Sequence, residues 1–190
     1  HGPTTRGFDY YFGISASNNM PPYCFIENDR VVGRPTEHKD PIHDAQHDAP
    51  TVPGWRDEEV GPTLTAKAQE WLTDHRRNHP DRPFFLYLPS EAPHRPCVPP
   101  DRFRGESGAG RRGDMVLEFD WTVGQIRRTL KEMGVLENTI FIVTSDNGAR
   151  PATRWMWCRT KSARTPRWSP IASPTATAPP TSTGARKPTS

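Results

Sequence analysis

Two short apolar runs constrain this chain more than anything else in it. Phe84-Phe85-Leu86-Tyr87-Leu88 and Ile140-Phe141-Ile142-Val143 are apolar at every position, without the polar alternation of a half-solvated strand. Such runs suit strands covered on both faces. Each follows a segment of helical periodicity. Before the first, Leu64, Ala68, Trp71 and Leu72 keep helical spacing, which predicts a helix capped at Thr63 and stopped by Pro80 and Pro83. Before the second, Val116, Leu117, Trp121, Val123, Ile126 and Leu130 predict a helix over 114–133, ended by Gly134. Helix–strand–loop–helix–strand with apolar strands predicts an α/β fold, with a mainly parallel (mixed) sheet flanked by helices. In such sheets ligands bind beyond the carboxyl ends of the strands. The loops after Leu88 and Val143 therefore become the candidate site.

The rest of the chain is less regular. Gly7-Phe8-Asp9-Tyr10-Tyr11-Phe12-Gly13 reads as a short buried strand or a packed loop, and 23–27 with 30–32 as a hairpin turning at Asn28-Asp29. Residues 35–62 show no period and predict a long surface loop or lid. His38, Asp40, His43, Asp44, His47 and Asp48 crowd there, but their spacing matches no zinc pattern, so the expectation is a solvated loop or a rim touching substrate. After Arg150 the composition breaks. Residues 1–150 hold all 22 acidic residues against 18 of the 25 basic ones, a net charge of −4, whereas 151–190 hold the other seven basic residues and no acid. That tail is rich in Thr, Ser, Ala and Pro and predicts no helix or strand. The expected organisation is one incomplete domain over 1–150 and a low-complexity tail over 151–190.

Several classes are excluded. No run of 18 apolar residues exists, so no membrane span is expected. The overall charge of +3 describes neither part of the chain, and no recognition motif accompanies the tail's Arg and Trp residues, so no nucleic-acid partner is expected. Three cysteines fit neither a metal spacing nor an even disulfide framework. The chain opens on His1 rather than Met, so its true start is expected further upstream.

Two loop motifs could carry chemistry. Ser145-Asp146-Asn147-Gly148 offers a carboxylate and an amide oxygen, hard ligands for Ca²⁺ or Mg²⁺, and it would equally end a strand in an Asx turn. Ala92-Pro93-His94-Arg95-Pro96 holds His94 on a stiff backbone. Its imidazole could act as an acid or hydrogen-bond donor toward a substrate oxygen, although a lone loop histidine is more often solvated.

With these loops, further segments become informative: Pro21-Pro22-Tyr23, Glu118-Phe119-Asp120-Trp121-Thr122-Val123-Gly124, and Asn138-Thr139 leading through the second run to Gly148. Together with the Gly7 to Gly13 segment, and in this order, they resemble an arylsulfatase-type sulfatase from about Gly2 to Arg150. The resemblance implies an alkaline-phosphatase-superfamily fold and hydrolysis of sulfate monoesters, on a sulfated small molecule or polysaccharide. It also implies a Ca²⁺ ion held by two N-terminal aspartates, a formylglycine, and an Asp-Asn pair that Asp146 and Asn147 match. In that family the ion neutralises the sulfate oxygens while the hydrated formylglycine attacks sulfur. The histidine of the His-x-Pro loop, matched by His94, assists the leaving oxygen. The family implies a periplasmic or secreted location.

The departures are as informative. The formylglycine arises from a Cys or Ser in a Cys-x-Pro-x-Arg context, through a formylglycine-generating enzyme, and no such context exists here; Cys97-Val98-Pro99-Pro100-Asp101 lacks the arginine. The N-terminal aspartate pair, the Gly-Lys-Trp-His motif and the downstream Arg-Gly-x-Lys lysine are also missing. The expectation is therefore an internal sulfatase fragment, inactive alone. The alternatives are a phosphatase or phosphodiesterase of the same superfamily, or a non-enzymatic remnant.

The tail carries its own expectation. Trp155-Met156-Trp157-Cys158, read one base out of register, gives Asp-Val-Val without ambiguity, and Thr183 to Ser190 becomes compatible with Arg-Gly-x-Lys-Ala-Asp-Ile. The tail is expected to be a frameshifted segment, which leaves Lys161 and Lys187 without a catalytic role. Resequencing the locus should find the shifted frame open and running into Glu-Gly-Gly soon after the lysine; an early stop there refutes it.

Overall fold

A computed structural model describes residues 2–42 and 46–148; the expected tail, with Cys158, Lys161 and Lys187, lies outside the described residues, as do His43 and Asp44. Helix α1 (Val60–Asn78) and helix α2 (Gly110–Glu132) pack against each other and form the centre of the molecule. Their cross-contacts advance in step. A Cβ at Gly61 would collide with Glu118, Thr65 Oγ1 lies 3.0 Å from Thr122 Oγ1, and Gln69 Nε2 donates to Thr129 Oγ1 at 2.8 Å. The two helices therefore run parallel, as successive helices of a parallel α/β unit must. No described helix is long and apolar enough to cross a membrane.

Both helices start earlier than their periodicity predicts. In α1, Pro62 sits in the first turn, where a missing N–H costs no intrahelical bond. Asp57, Glu58 and Glu59 precede it in a single 3₁₀ turn, and His75, Arg76 and Arg77 close the helix, both favourable to its dipole. In α2, Asp114 is buried inside the first turns and folds the preceding loop. Its carboxylate accepts from the N–H groups of Gly105 and Ser107, at 3.0 and 3.1 Å, and from Ser107 Oγ at 2.6 Å. Desolvation alone would raise this carboxyl's pKa, but these hydrogen bonds prevail and hold it below the usual range.

The two apolar runs behave differently from expectation. Phe84, Leu86, Leu88 and Phe141 pack on the cluster formed by Ala68, Leu72, Ile126 and Leu130. The residues between them face outward, Phe85 at 75% exposure, Tyr87 at 67%, Ile140 at 90% and Ile142 at 77%. Each run is thus covered on one face only, and neither pairs into a sheet among the described residues. The cause is the lack of a second layer: helices α1 and α2 cover one side, and no described element covers the other. Among the described residues the two helices of an α/β unit form, and the sheet they would cover does not.

The sheets that do form are small and antiparallel. β1 (Phe12–Ile14), β2 (Phe25–Glu27) and β3 (Arg30–Val32) line up in that order. The β2–β3 hairpin turns at Asn28, whose positive φ of 56° a short Asx side chain tolerates and whose Oδ1 accepts from Tyr11 N–H at 3.0 Å. Within the expected lid, β4 (Glu37–Lys39) pairs with β5 (Ala49–Thr51), and a bridge from Thr51 to Tyr23 ties this hairpin to the rest. The segment is therefore ordered around a polar hub rather than being a solvated loop throughout. Buried Asp57 pairs with Lys39 Nζ at 3.0 Å and accepts from Gln46 Nε2 at 3.0 Å and Trp55 Nε1 at 2.8 Å. Periodicity misses this hub because its members are polar and scattered in sequence.

Candidate active site

His94 stands on the loop that leaves the first apolar run, exposed and enclosed by Pro93 and Pro96. Its backbone N–H donates to Glu91 O at 2.7 Å, and its Nδ1 lies 2.6 Å from Arg95 O. A carbonyl only accepts, so Nδ1 must carry a hydrogen. Nε2 is then an acceptor in the neutral ring and a donor in the imidazolium. The ring is thus oriented by its own loop through Nδ1, which leaves Nε2 to face any outside partner.

Asp146 and Asn147 form a bend behind the second run, and both are exposed. Ser145 Oγ donates to Asn147 O at 2.6 Å and shapes that bend. A carboxylate and an amide oxygen, adjacent and solvent-facing, have the donor chemistry of a hard cation such as Ca²⁺. Two such oxygens alone fall short of the roughly 6–8 that an ion of this kind takes. No group of three or more His, Cys, Asp or Glu residues gathers among the described residues, so any further ligands must come from elsewhere. No hydrogen bond or ion pair joins His94 to Asp146 or Asn147 among the described residues. What they share is position, each in the loop following an apolar run that packs on the same helix pair.

In the His/Asp-rich stretch, His38 Nδ1 lies 3.1 Å from Asp48 Oδ1 in an exposed contact, and Asp40 and His47 are also exposed. Cys97, at 2% exposure, packs with Ala92 and Met115 beneath the His94 loop. Sequence reasoning overlooked the carboxyl groups under that loop, Glu91 and Glu118. A signal was available. Glu118 occupies the same helical stripe as Met115, Thr122 and Ile126, all buried, where a carboxylate is out of place.

A sequence model of the Sulfatase family matches residues 1–173. Among curated proteins, an N-acetylgalactosamine-6-O-sulfatase of Bacteroides thetaiotaomicron is 35% identical over 75% of this chain and 34% of its own length. Human arylsulfatase A is 31% identical over 77% of this chain and 29% of its own. A solved Bacteroides thetaiotaomicron structure, described in connection with the metabolism of multiple glycosaminoglycans, superposes with a TM-score of 0.61 at 29% identity, over 73% of this chain and 35% of that one. The chain thus spans about a third of the length of these relatives. Sequence match and superposition agree on the α/β, alkaline-phosphatase-like architecture, present here in part, and the chain belongs to the sulfatase family.

Proposed function

We propose that this sequence is part of an enzyme that hydrolyses sulfate monoesters, with His94 on the leaving-group side and Asp146 and Asn147 as ligands of a Ca²⁺ ion. Membership of the sulfatase family supports ester hydrolysis in general. The observation that carries the finer reading is the placement of both motifs, in loops that follow the two apolar runs packed on one parallel helix pair. Ca²⁺, when bound, would neutralise the charge of the sulfate oxygens. His94 is pre-aimed by the hydrogen bond to Arg95 O, and as imidazolium its Nε2 can donate to the departing oxygen. The nucleophile, a formylglycine in this reading, has no source among these 190 residues and would be installed in the whole enzyme by a formylglycine-generating enzyme. The substrate class is a sulfated small molecule or a sulfated polysaccharide.

The test uses the whole enzyme that carries this sequence, with an aryl sulfate as substrate. His94→Ala should lower kcat by about 10²–10⁴-fold, the usual range for losing a general acid, with a smaller change in KM. Asp146→Asn should raise the Ca²⁺ concentration needed for half-maximal rate. Full activity of His94→Ala, or turnover of an aryl phosphate in place of the sulfate, would overturn the reading.

A further inference from the structure

The polar group that fits its surroundings worst is Glu118, which is 2% exposed. No protein donor reaches Oε1 or Oε2 of its carboxyl, and Glu91 Oε2 is likewise buried and unpartnered. The two carboxyls converge on one spot, because a Cβ added at Gly61 would collide with Glu118 Oε1 and Glu91 Oε1 alike. Apolar cover surrounds them. Met115 and Phe119 flank Glu118 on α2, and Ala92 next to Glu91 packs on the same cluster with Cys97. Two carboxylates cannot both stay ionised in such a place, since neither would have water to solvate its charge. The donors are unequally shared. Glu91 accepts from backbone N–H groups, Gly61's at the start of α1 and its own, whereas Glu118 has none. The negative charge therefore belongs on Glu91 and the proton on Glu118.

We infer that Glu118 donates a hydrogen bond to an ionised Glu91, and that this shared proton holds the loop bearing His94 against the start of α1 and the middle of α2. The loop is tied at that point because Glu91 O also accepts the His94 N–H. The electrostatics agree. Burial, then the neighbouring Glu91 charge and its hydrogen bond, push the Glu118 carboxyl up to about 8, with Glu59 adding a little. Arg102, whose guanidinium lies over the Trp121 ring at 3.7 Å, opposes this. Burial also raises Glu91, partly offset by its backbone donors and by Glu118. Glu91 and Glu118 would thus be positioning residues, acting on His94 through its loop. The pairing does not depend on the hydrolytic reading, and its test measures no turnover.

A carboxyl whose pKa is higher folded than unfolded stabilises the fold fully below the unfolded value. That stability is lost as pH rises toward the folded value. The window here lies between the ordinary glutamate pKa of about 4.3 and about 8. Glu118→Gln keeps a hydrogen-bond donor and cannot ionise. At low micromolar concentration, the melting temperature of the full chain carrying Glu118→Gln should gain on the wild type between pH 5 and pH 8, by about 5 °C or more, and hold that lead above pH 8. A difference that stays constant with pH would overturn the shared proton. Hydrogen exchange then tests the clamp. Glu118→Ala should expose the His94-containing peptide to exchange roughly tenfold faster, one lost hydrogen bond's worth of protection, while Glu118→Gln leaves it slow. Equal exchange in all three proteins would overturn the positioning role, and if the alanine variant does not fold, Glu118→Met, similar in length but without a donor, stands in its place.

Discussion

Purified alone and supplied with Ca²⁺, the 190-residue polypeptide should hydrolyse a chromogenic aryl sulfate no faster than the buffer blank. Nucleophilic catalysis needs an activated nucleophile, and the sequence has no Cys-x-Pro-x-Arg or Ser-x-Pro-x-Arg context in which a formylglycine could arise. Cys97 comes nearest, but Asp101 occupies the place of the arginine, and the side chain lies buried under the His94 loop. Cys24 is fully buried, and burial raises its thiol pKa, which removes the thiolate needed for attack. Even with Asp146, Asn147 and His94 in their proposed roles, orientation and charge stabilisation remain without a bond-forming group. Losing a nucleophile from a hydrolase costs on the order of 10⁶-fold in kcat, which puts the remaining rate below detection in an ordinary absorbance assay. Measurable turnover that disappears in His94→Ala would show that a nucleophile had been overlooked.

The second large effect is on association. Phe85, Tyr87, Ile140 and Ile142 present apolar side chains to water from the outer face of the two runs, and Phe8 lies against Phe85 with ring centroids 6.2 Å apart. Exposed apolar surface of this kind drives association, and main-chain groups without ladder partners reinforce it. Sedimentation of the chain should show concentration-dependent oligomers from the tens of micromolar upward, with strong binding of an apolar dye. Replacing Ile140 with Lys and Ile142 with Glu should restore a monomer and change the unfolding free energy of the chain by no more than about 0.5 kcal/mol per site, as at other surface positions. In the whole enzyme, where a further layer is expected to cover this face, the same pair should cost about 3–6 kcal/mol, from about 1.5–3 kcal/mol per buried side chain. A monodisperse wild-type chain at high concentration would contradict this.

These two predictions divide what the sequence could convey from what it could not. Local period sufficed for α1 and α2, because Leu64, Ala68, Leu72 and Ile126, Leu130 recur at helical spacing whatever surrounds them. Turn chemistry sufficed for the β2–β3 hairpin, where Asn28 accepts a positive φ. Motif order sufficed for the family and for His94, Asp146 and Asn147 as candidates, since each motif is contiguous. Helix starts were misjudged by three or four residues because Pro62 and Gly110 look like breakers, although a first helical turn tolerates both.

Tertiary structure alone decided the rest. Uniform apolarity over 84–88 and 140–143 does not tell which side chains face a partner. That followed from the parallel helices taking up Phe84, Leu86, Leu88 and Phe141 and leaving their neighbours in water. Nor could any local pattern pair Lys39 with Asp57, or bring Glu91 and Glu118 together at Gly61. Residues so far apart in the chain meet only when separate elements pack. The charge states of Glu91 and Glu118 are set by the low-dielectric surroundings which that packing creates, not by the residues that precede and follow them.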